Sequence, residues 1–213
     1  MNVYFKDGNI ATKNLNPGIS VYGEELITES EEYRIWNPRR SKLAAALLNG
    51  LENLEITDTS KVLYLGASTG TTVSHISDIA VNGRIYAVEF SPTTAKKLVR
   101  LANQRPNIAP ILGDATKPKG YMNYVEKADL VYCDVAQPTQ SELFMKNMNL
   151  LSKDDGLGLL MIKARSIDVV QKPKKIFKME EKKLIEKGFK IIEKVKLEPY
   201  EKDHIALLVE KNF

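Results

Sequence analysis

The chain has 213 residues, a length suited to one full domain or one domain with a small appendage. Hydrophobic residues make up 43% and charged residues 27%, which argues against disorder, collagen and coiled coil, and no apolar run approaches the roughly 20 residues needed to span a bilayer. The formal charge is +4, one cysteine (Cys133) excludes an internal disulfide framework, and two histidines (His75 and His204) with that cysteine argue against a zinc site.

Residues 1 to about 54 read as a small β-rich unit. Asn2–Lys6 and Ile19–Tyr22 are short β-like segments, with Gly8, Asn16-Pro17-Gly18 and Gly23 as turn signals. Asn37-Pro38 is expected to open a helix through Ser41–Leu48 that stops near Asn49-Gly50. From Lys61 the pattern alternates. Val62–Leu65 is an apolar run, followed by a Gly-bearing turn and by Thr72–Ala80, where Val73, Ile76 and Ile79 have helical spacing. Arg84–Glu89 is strand-like, and Pro92 opens a helix through Leu98 and Leu101. Ile108–Leu112, Ala128–Cys133 and Leu157–Ile162 are three further strands, with a helix near Gln140–Leu150 before the last of them. Phe177–Lys187 is helical, with Gly188 as C-cap. Phe189–Leu197 and His204–Val209 are joined too closely for a helical crossover, so they must pair antiparallel.

The sum is an α/β chain in two parts. Residues 1–54 form the β-rich unit with its linking helix. Residues 55–213 form a doubly wound, mostly parallel sheet with a C-terminal antiparallel hairpin. No basic-then-apolar leader is visible, so the expected location is the cytoplasm.

Charge is unevenly placed. Lys163 to Lys190 holds ten basic and four acidic residues, a local +6 that leaves −2 for the rest of the chain. Arg34, Arg39, Arg40 and Lys42 form a second basic cluster with no acid among them. Two such patches suit a polyanion such as RNA. The plainer alternative for Lys174 to Lys190 is a solvated helix face.

Ligands in doubly wound sheets bind at the carboxyl ends of strands. The first such end here is Gly66-Ala67-Ser68-Thr69-Gly70-Thr71-Thr72, where glycines admit close approach and a helix offers free N–H groups. The next strand ends in Glu89, 23 residues after Gly66, placed to accept from two ribose hydroxyls. The third ends at Gly113-Asp114, where Asp114 is placed to accept from an adenine amine, and the fourth at Cys133-Asp134. Three successive strands ending in acids point to a nucleoside. The turn is neither a G-x-G-x-x-G nor a P-loop, so an adenosine without phosphates fits better than an anionic nucleotide. The turn also matches G-x-S-x-G, and Ser68, Asp134 and His204 follow the order of an α/β-hydrolase triad. That reading places the elbow after the first strand of the unit and leaves Glu89, Asp114 and both basic patches without a role. A scaffold that binds RNA or protein without catalysis is a third reading.

NLNPGISVYGEE, EEYRIWNPRRSKLAAA, VLYLGASTGTTVSHISDI, YAVEFSP, DVAQPTQ, IKARSID and LEPYEKDHI run in order through nearly the whole chain. In these blocks the sequence resembles the fibrillarin family, in the compact form without a Gly/Arg-rich tail, which suggests an archaeal source. It departs from the family pattern at Ser68-Thr69 and Cys133, neither of which removes a ligand-binding side chain. The resemblance implies an S-adenosylmethionine-dependent RNA 2′-O-methyltransferase of box C/D guide particles, acting on rRNA and tRNA without a metal. Its implied partners are guide RNA and target RNA, a Nop-domain scaffold protein and a kink-turn-binding ribosomal-type protein, with no membrane. It also implies cofactor contacts at Gly66, at Thr71 and Thr72 (methionine end), Glu89 (ribose), Phe90 (adenine face), Asp114 and Ala115 (adenine edge), and Asp134, Val135, Ala136 and Gln137 (sulfonium side). The family's Lys-Asp-Lys-His constellation falls on Lys42, Asp134, Lys163 and His204.

A ribose 2′-hydroxyl is a poor acid, so methyl transfer needs it partly deprotonated and in line with the methyl group. Lys163 is the expected base, because a neighbouring cation, Lys42, disfavours its protonation. Asp134 is expected to hold Lys163, Lys42 to anchor a phosphate or hydroxyl, and His204 to give secondary support. Elsewhere, His75 is expected to be a structural hydrogen-bonder and Cys133 an inert packed thiol. Trp36 either stacks on RNA or is buried where the two parts meet, and Arg165 and Asp168 are expected to pair.

Overall fold

A computed structural model of the protein describes residues 1–212. The N-terminal part is a four-stranded antiparallel sheet of β1 (Tyr4–Lys6), β2 (Asn9–Lys13), β3 (Leu26–Thr28) and β4 (Glu32–Ile35), in the order β1-β2-β4-β3. Asp7 (φ 48) and Gly8 (φ 75) close the first hairpin, the left-handed pair that a two-residue turn between twisted strands requires. Ile19–Tyr22 is not a strand. Its amides are engaged locally instead of in a ladder: Ile19 donates to Asn16 carbonyl at 3.2 Å, and Val21 and Tyr22 donate to the Glu24 carboxylate at 2.9 and 2.8 Å.

The large sheet has seven strands: β5 (Lys61–Leu65), β6 (Arg84–Glu89), β7 (Ile108–Leu112), β8 (Ala128–Cys133), β9 (Ser152–Lys163), β10 (Phe189–Lys196) and β11 (His204–Lys211). Their order is β10-β11-β9-β8-β5-β6-β7. The strands from β9 to β7 are mutually parallel, and β11 is inserted antiparallel between β9 and β10. Pro110 is tolerated in β7 because that strand is an edge. The helices are α1 (Lys42–Leu48), α2 (Thr71–Ile79), α3 (Pro92–Ala102), α4 (Gln140–Leu151), the single turn α5 (Ala164–Ile167) and α6 (Pro173–Glu186). Two apolar cores, one on each face of the sheet, hold Leu43, Tyr64, Val73 and Leu98 on one side and Leu63, Phe144, Leu160 and Phe177 on the other.

Three boundaries move. Asn37-Pro38 opens a turn closed by Arg40 N on Asn37 carbonyl at 3.0 Å rather than a helix, and Ser41, in extended backbone, caps α1. Strand β9 begins at Ser152, through a register shift opposite Ala128–Leu130 that absorbs Asp154 and Asp155. Helix α6 starts at Pro173, a first-turn proline.

The β-rich part is held to α2 by buried charge. Arg34 is fully buried, donating to Glu24 at 2.6 Å and to Asp78 at 2.7 Å, and Arg105 reaches Asp78 at 2.5 Å. Arg34 therefore belongs to the interior and not to the basic surface expected of it. Removing one member of such a network leaves an uncompensated buried charge, costing about 3–5 kcal/mol. Trp36 is buried and stacks on His75 with ring centres 4.7 Å apart. His75 lies within hydrogen-bond distance of the hydroxyls of Thr12 (2.7 Å) and Tyr22 (2.9 Å). Both rings are structural. Cys133 is a buried thiol whose pKa burial pushes up.

Candidate active site

Strand order reverses between β5 and β8, and the carboxyl ends of β5, β6, β7 and β8 open on one cleft. Backbone bonds tie these ends together. Gly66 and Ala67 donate to Val88 carbonyl, Gly113 to Glu89 carbonyl and Asp134 to Leu65 carbonyl, each at 3.0 Å. At Gly66 (φ 82) a Cβ would lie 2.5 Å from the Asp134 carbonyl oxygen, so only glycine lets the first and fourth strand ends meet. At Gly70 (φ 93) a Cβ would collide with Leu101 of α3.

The cleft, about 310 Å³, is lined by Glu89, Phe90, Asp114, Ala115, Asp134, Val135, Ala136 and Gln137 with Gly66 and Ser68. Glu89 accepts from Ser68 N through one oxygen and from Ser91 N through the other, both at 2.8 Å. Each oxygen keeps a lone pair, because a carboxylate oxygen has two acceptor sites. Phe90 is 71% exposed, a flat apolar platform beside those oxygens. Asp114 accepts from the hydroxyl (2.7 Å) and amide (2.9 Å) of Thr116 through Oδ1. Those bonds, the hydroxyl first, hold its pKa below the usual carboxylate value.

A second, smaller compartment, about 210 Å³, shares Gly66, Ser68 and Asp134 with the first and adds Arg40, Lys42, Tyr64, Thr71 and Thr72. The Ser41 and Thr72 hydroxyls are hydrogen-bonded at 2.9 Å, which ties the start of α1 to the start of α2. Lys42 is thereby delivered to the cleft, where Nζ lies 2.9 Å from Asp134 Oδ1. The cation that Asp134 holds is Lys42, not Lys163 as expected. Lys163 is exposed at the end of β9 and has no carboxylate within ion-pair distance among the described residues. His204 is its register partner across the β9–β11 ladder. His204 Nδ1 donates to Lys202 carbonyl at 2.7 Å, leaving Nε2 as the lone-pair nitrogen of the neutral ring. Burial, and then the positive charges of Lys42 and Lys163, hold this imidazole below the ordinary histidine pKa, against the opposing pull of that carbonyl. Lys42 and Asp134 are thus paired in the smaller compartment, Lys163 and His204 are paired across the ladder, and the positive charges of Lys42 and Lys163 act on the His204 ring.

The hydrolase reading fails on these contacts. The Nδ1 hydrogen of His204 goes to a backbone carbonyl and Asp134 goes to Lys42, so no relay connects Ser68, His204 and Asp134. Arg165 pairs with Asp203 (3.0 Å) instead of Asp168, whose carboxylate accepts from the amides of Val170 and Gln171. Tyr64 was not singled out in the sequence. It reads there as one more apolar strand residue, and its place one residue before the end of β5 was the only signal. In the fold it is buried and stacked on Tyr132, with ring centres 4.3 Å apart, at the wall of the smaller compartment.

A fibrillarin family model matches residues 1–213. The chain belongs to the fibrillarin family. Among curated fibrillarins, a relative from Methanothermobacter thermautotrophicus described as a fibrillarin-like rRNA/tRNA 2′-O-methyltransferase is 55% identical, covering 99% of this chain and 94% of its own. The fold matches that of a Methanococcus jannaschii fibrillarin pre-rRNA processing protein with a TM-score of 0.95 at 49% identity, covering 99% of this chain and 94% of the other. An Aeropyrum pernix fibrillarin with natively bound S-adenosyl-L-methionine matches at 0.88 and 44%, covering 98% of both chains. A fibrillarin in complex with Nop5p matches at 0.91 and 44%, covering 99% of this chain and 97% of the other. The doubly wound sheet with its C-terminal hairpin and extra antiparallel sheet is thus a fibrillarin fold.

Proposed function

We propose that this chain transfers a methyl group from S-adenosylmethionine to ribose 2′-hydroxyls of rRNA and tRNA within box C/D guide particles. It is an S-adenosylmethionine-dependent RNA 2′-O-methyltransferase. The observation that carries the reading is the continuity of two compartments: an acid-rimmed nucleoside cleft shares Gly66, Ser68 and Asp134 with a smaller compartment that bears Arg40 and Lys42.

The residues present fit the methyl donor. Glu89 keeps two lone pairs for a ribose diol, Phe90 gives a face for adenine, and Asp114 would accept from an exocyclic amine at Oδ2, which it shares with the exposed Lys117 Nζ 3.5 Å away, with Ala115 alongside. Gly66, Thr71 and Thr72, which line the smaller compartment, would hold the methionine end, and Asp134 with Val135, Ala136 and Gln137 would face the sulfonium side. Bound there, the donor supplies an electrophilic methyl group. The remaining work falls to the protein. Asp134, already paired with Lys42, places negative charge beside a cationic centre. Lys42 anchors a phosphate or the developing alkoxide. Lys163, which has no carboxylate within ion-pair distance among the described residues, is the proposed base. His204, kept neutral by burial, supports the mouth without adding a third positive charge.

The proposed partners are guide and target RNA, a Nop-domain scaffold protein and a kink-turn-binding protein. Residues 1–54 and 55–213 are proposed as the two domains, and the cytoplasm as the location; no helix among the described residues is long and apolar enough to cross a membrane. The test is reconstitution with guide RNA and the protein partners, followed by methyl transfer to a complementary RNA. Transfer must vanish when the target nucleotide is 2′-deoxy, and must require the guide. Equal transfer to the deoxy target refutes ribose methylation, and failure to bind S-adenosylmethionine in calorimetry returns the chain to a scaffold role.

A further inference from the structure

A second depression, about 400 Å³, adjoins the reaction mouth and shares Arg40, Thr69 and Thr71 with it. Its other walls are the Ser20–Tyr22 loop, Lys97 and Arg100, which at the i, i+3 spacing lie side by side on one face of α3, and Gln104 in the turn after that helix. None of the residues lining it is acidic. Arg40, Lys97 and Arg100 are exposed, and none has a carboxylate within 4.0 Å among the described residues, whereas Lys61, Lys190 and Lys194 elsewhere on the surface are ion-paired. The stripe is held in place. Leu98 and Leu101, on the buried side of α3, pack directly on the bare Cα of Gly70, so the turn that shapes the cofactor cleft also sets where Lys97 and Arg100 stand. Arg40 lies against the Tyr22 ring on the opposite wall, 5.2 Å from its centre.

Unpaired cations facing each other across an acid-free hollow leave a positive potential with no internal counter-charge. A small anion would satisfy one of them. A polyanion passing over the mouth satisfies all three, and the hollow is continuous with the place where the ribose must sit. We propose that this depression is a backbone-phosphate subsite for the RNA presented to the reaction mouth, with Lys97 and Arg100 of α3 as its grip. The proposal rests on the RNA-methyltransferase reading and extends it from Arg40, a member of the second basic cluster, to Lys97 and Arg100 of α3, which lie outside both clusters seen in the sequence. The contacts are to phosphates, so they position the strand without reading its bases.

The experiment uses the reconstituted particle with wild-type protein, the Lys97→Ala/Arg100→Ala double variant, and Lys96→Ala. Lys96 is an exposed lysine of the same helix that does not line the hollow. The KM for target RNA, the kcat at saturating RNA and the affinity for S-adenosylmethionine are measured over a salt series. The double variant should raise KM for RNA about tenfold and flatten the slope of log affinity against log salt by about two. Its kcat and cofactor affinity should match wild type, and Lys96→Ala should change nothing. An unchanged KM and salt slope in the double variant, or an equal loss from Lys96→Ala, overturns the subsite. Trimming the target to its guide-paired stretch assigns the strand: loss of the double-variant effect places the phosphates on the target flank, and its persistence places them on the guide duplex. If wild-type protein fails to methylate RNA, the underlying reading has failed. If wild type is active and the double variant is indistinguishable from it, only the subsite has failed.

Discussion

Glu89→Ala is the sharpest probe of the cofactor cleft. Each Glu89 oxygen already accepts one backbone amide, from Ser68 or Ser91, so the carboxylate is oriented before any ligand arrives. One lone pair per oxygen remains for one ribose hydroxyl each. A hydrogen bond to a charged acceptor is worth about 1.5–3 kcal/mol, and losing two removes at least about 3 kcal/mol. At 1.4 kcal/mol per decade, that is roughly a hundredfold rise in Kd. Calorimetric titration with S-adenosylmethionine measures it directly. The variant also frees the amides of Ser68 and Ser91, so a circular-dichroism melt must accompany the titration to show that the domain is folded. A folded Glu89→Ala protein with Kd within twofold of wild type would refute the ribose clamp and the cofactor pose built on it.

Lys163→Ala should lower kcat by at least about a hundredfold, the usual scale for a general base, with cofactor affinity intact. Lys163→Arg should be equally inactive, because a guanidinium does not lose its proton at neutral pH; near-normal turnover in either variant removes Lys163 as the base. His75 is buried and kept neutral, first by burial and then by the charges of Arg34 and Arg105, so its folded pKa lies well below its unfolded value near 6.5. Below that value the unfolded chain binds the proton and the folded chain does not, so stability should fall as pH is lowered, by up to about 1.4 kcal/mol per pH unit. Urea midpoints between pH 7 and 5 measure this, and a slope unchanged by His75→Asn would count against it. Gly70→Ala places a Cβ against Leu101 at a φ of 93, a strain of about 1–3 kcal/mol. A chain of this length should lose several degrees in Tm, and an unchanged melt would show that the α3 contact is slack.

The alternating pattern from Lys61 onward was legible because the signals are local. Apolar runs of strand length, Pro92 at a helix start, Gly188 at a helix end and acids just past strands each reflect the chemistry of adjacent residues, and the hairpin followed from a loop too short for a crossover. The N-terminal sheet was less legible. Its strands span three to five residues, too few for a period to emerge, and the β-branched Ile19–Tyr22 looked as strand-like as any of them. The fibrillarin blocks carried the family and the identity of the acids around the cleft. They could not say which groups touch. That Arg34 is locked inside with Glu24 and Asp78 while Arg40 faces the mouth depends on which side of β4 and of the following bend each lies. That Asp134 holds Lys42 rather than Lys163 depends on Ser41 and Thr72 binding two helix starts together across 31 positions of sequence. Local propensity and spacing act over a few residues. The pairing of buried or facing charges is decided by the packing of elements far apart in the chain, and only the tertiary structure contains it.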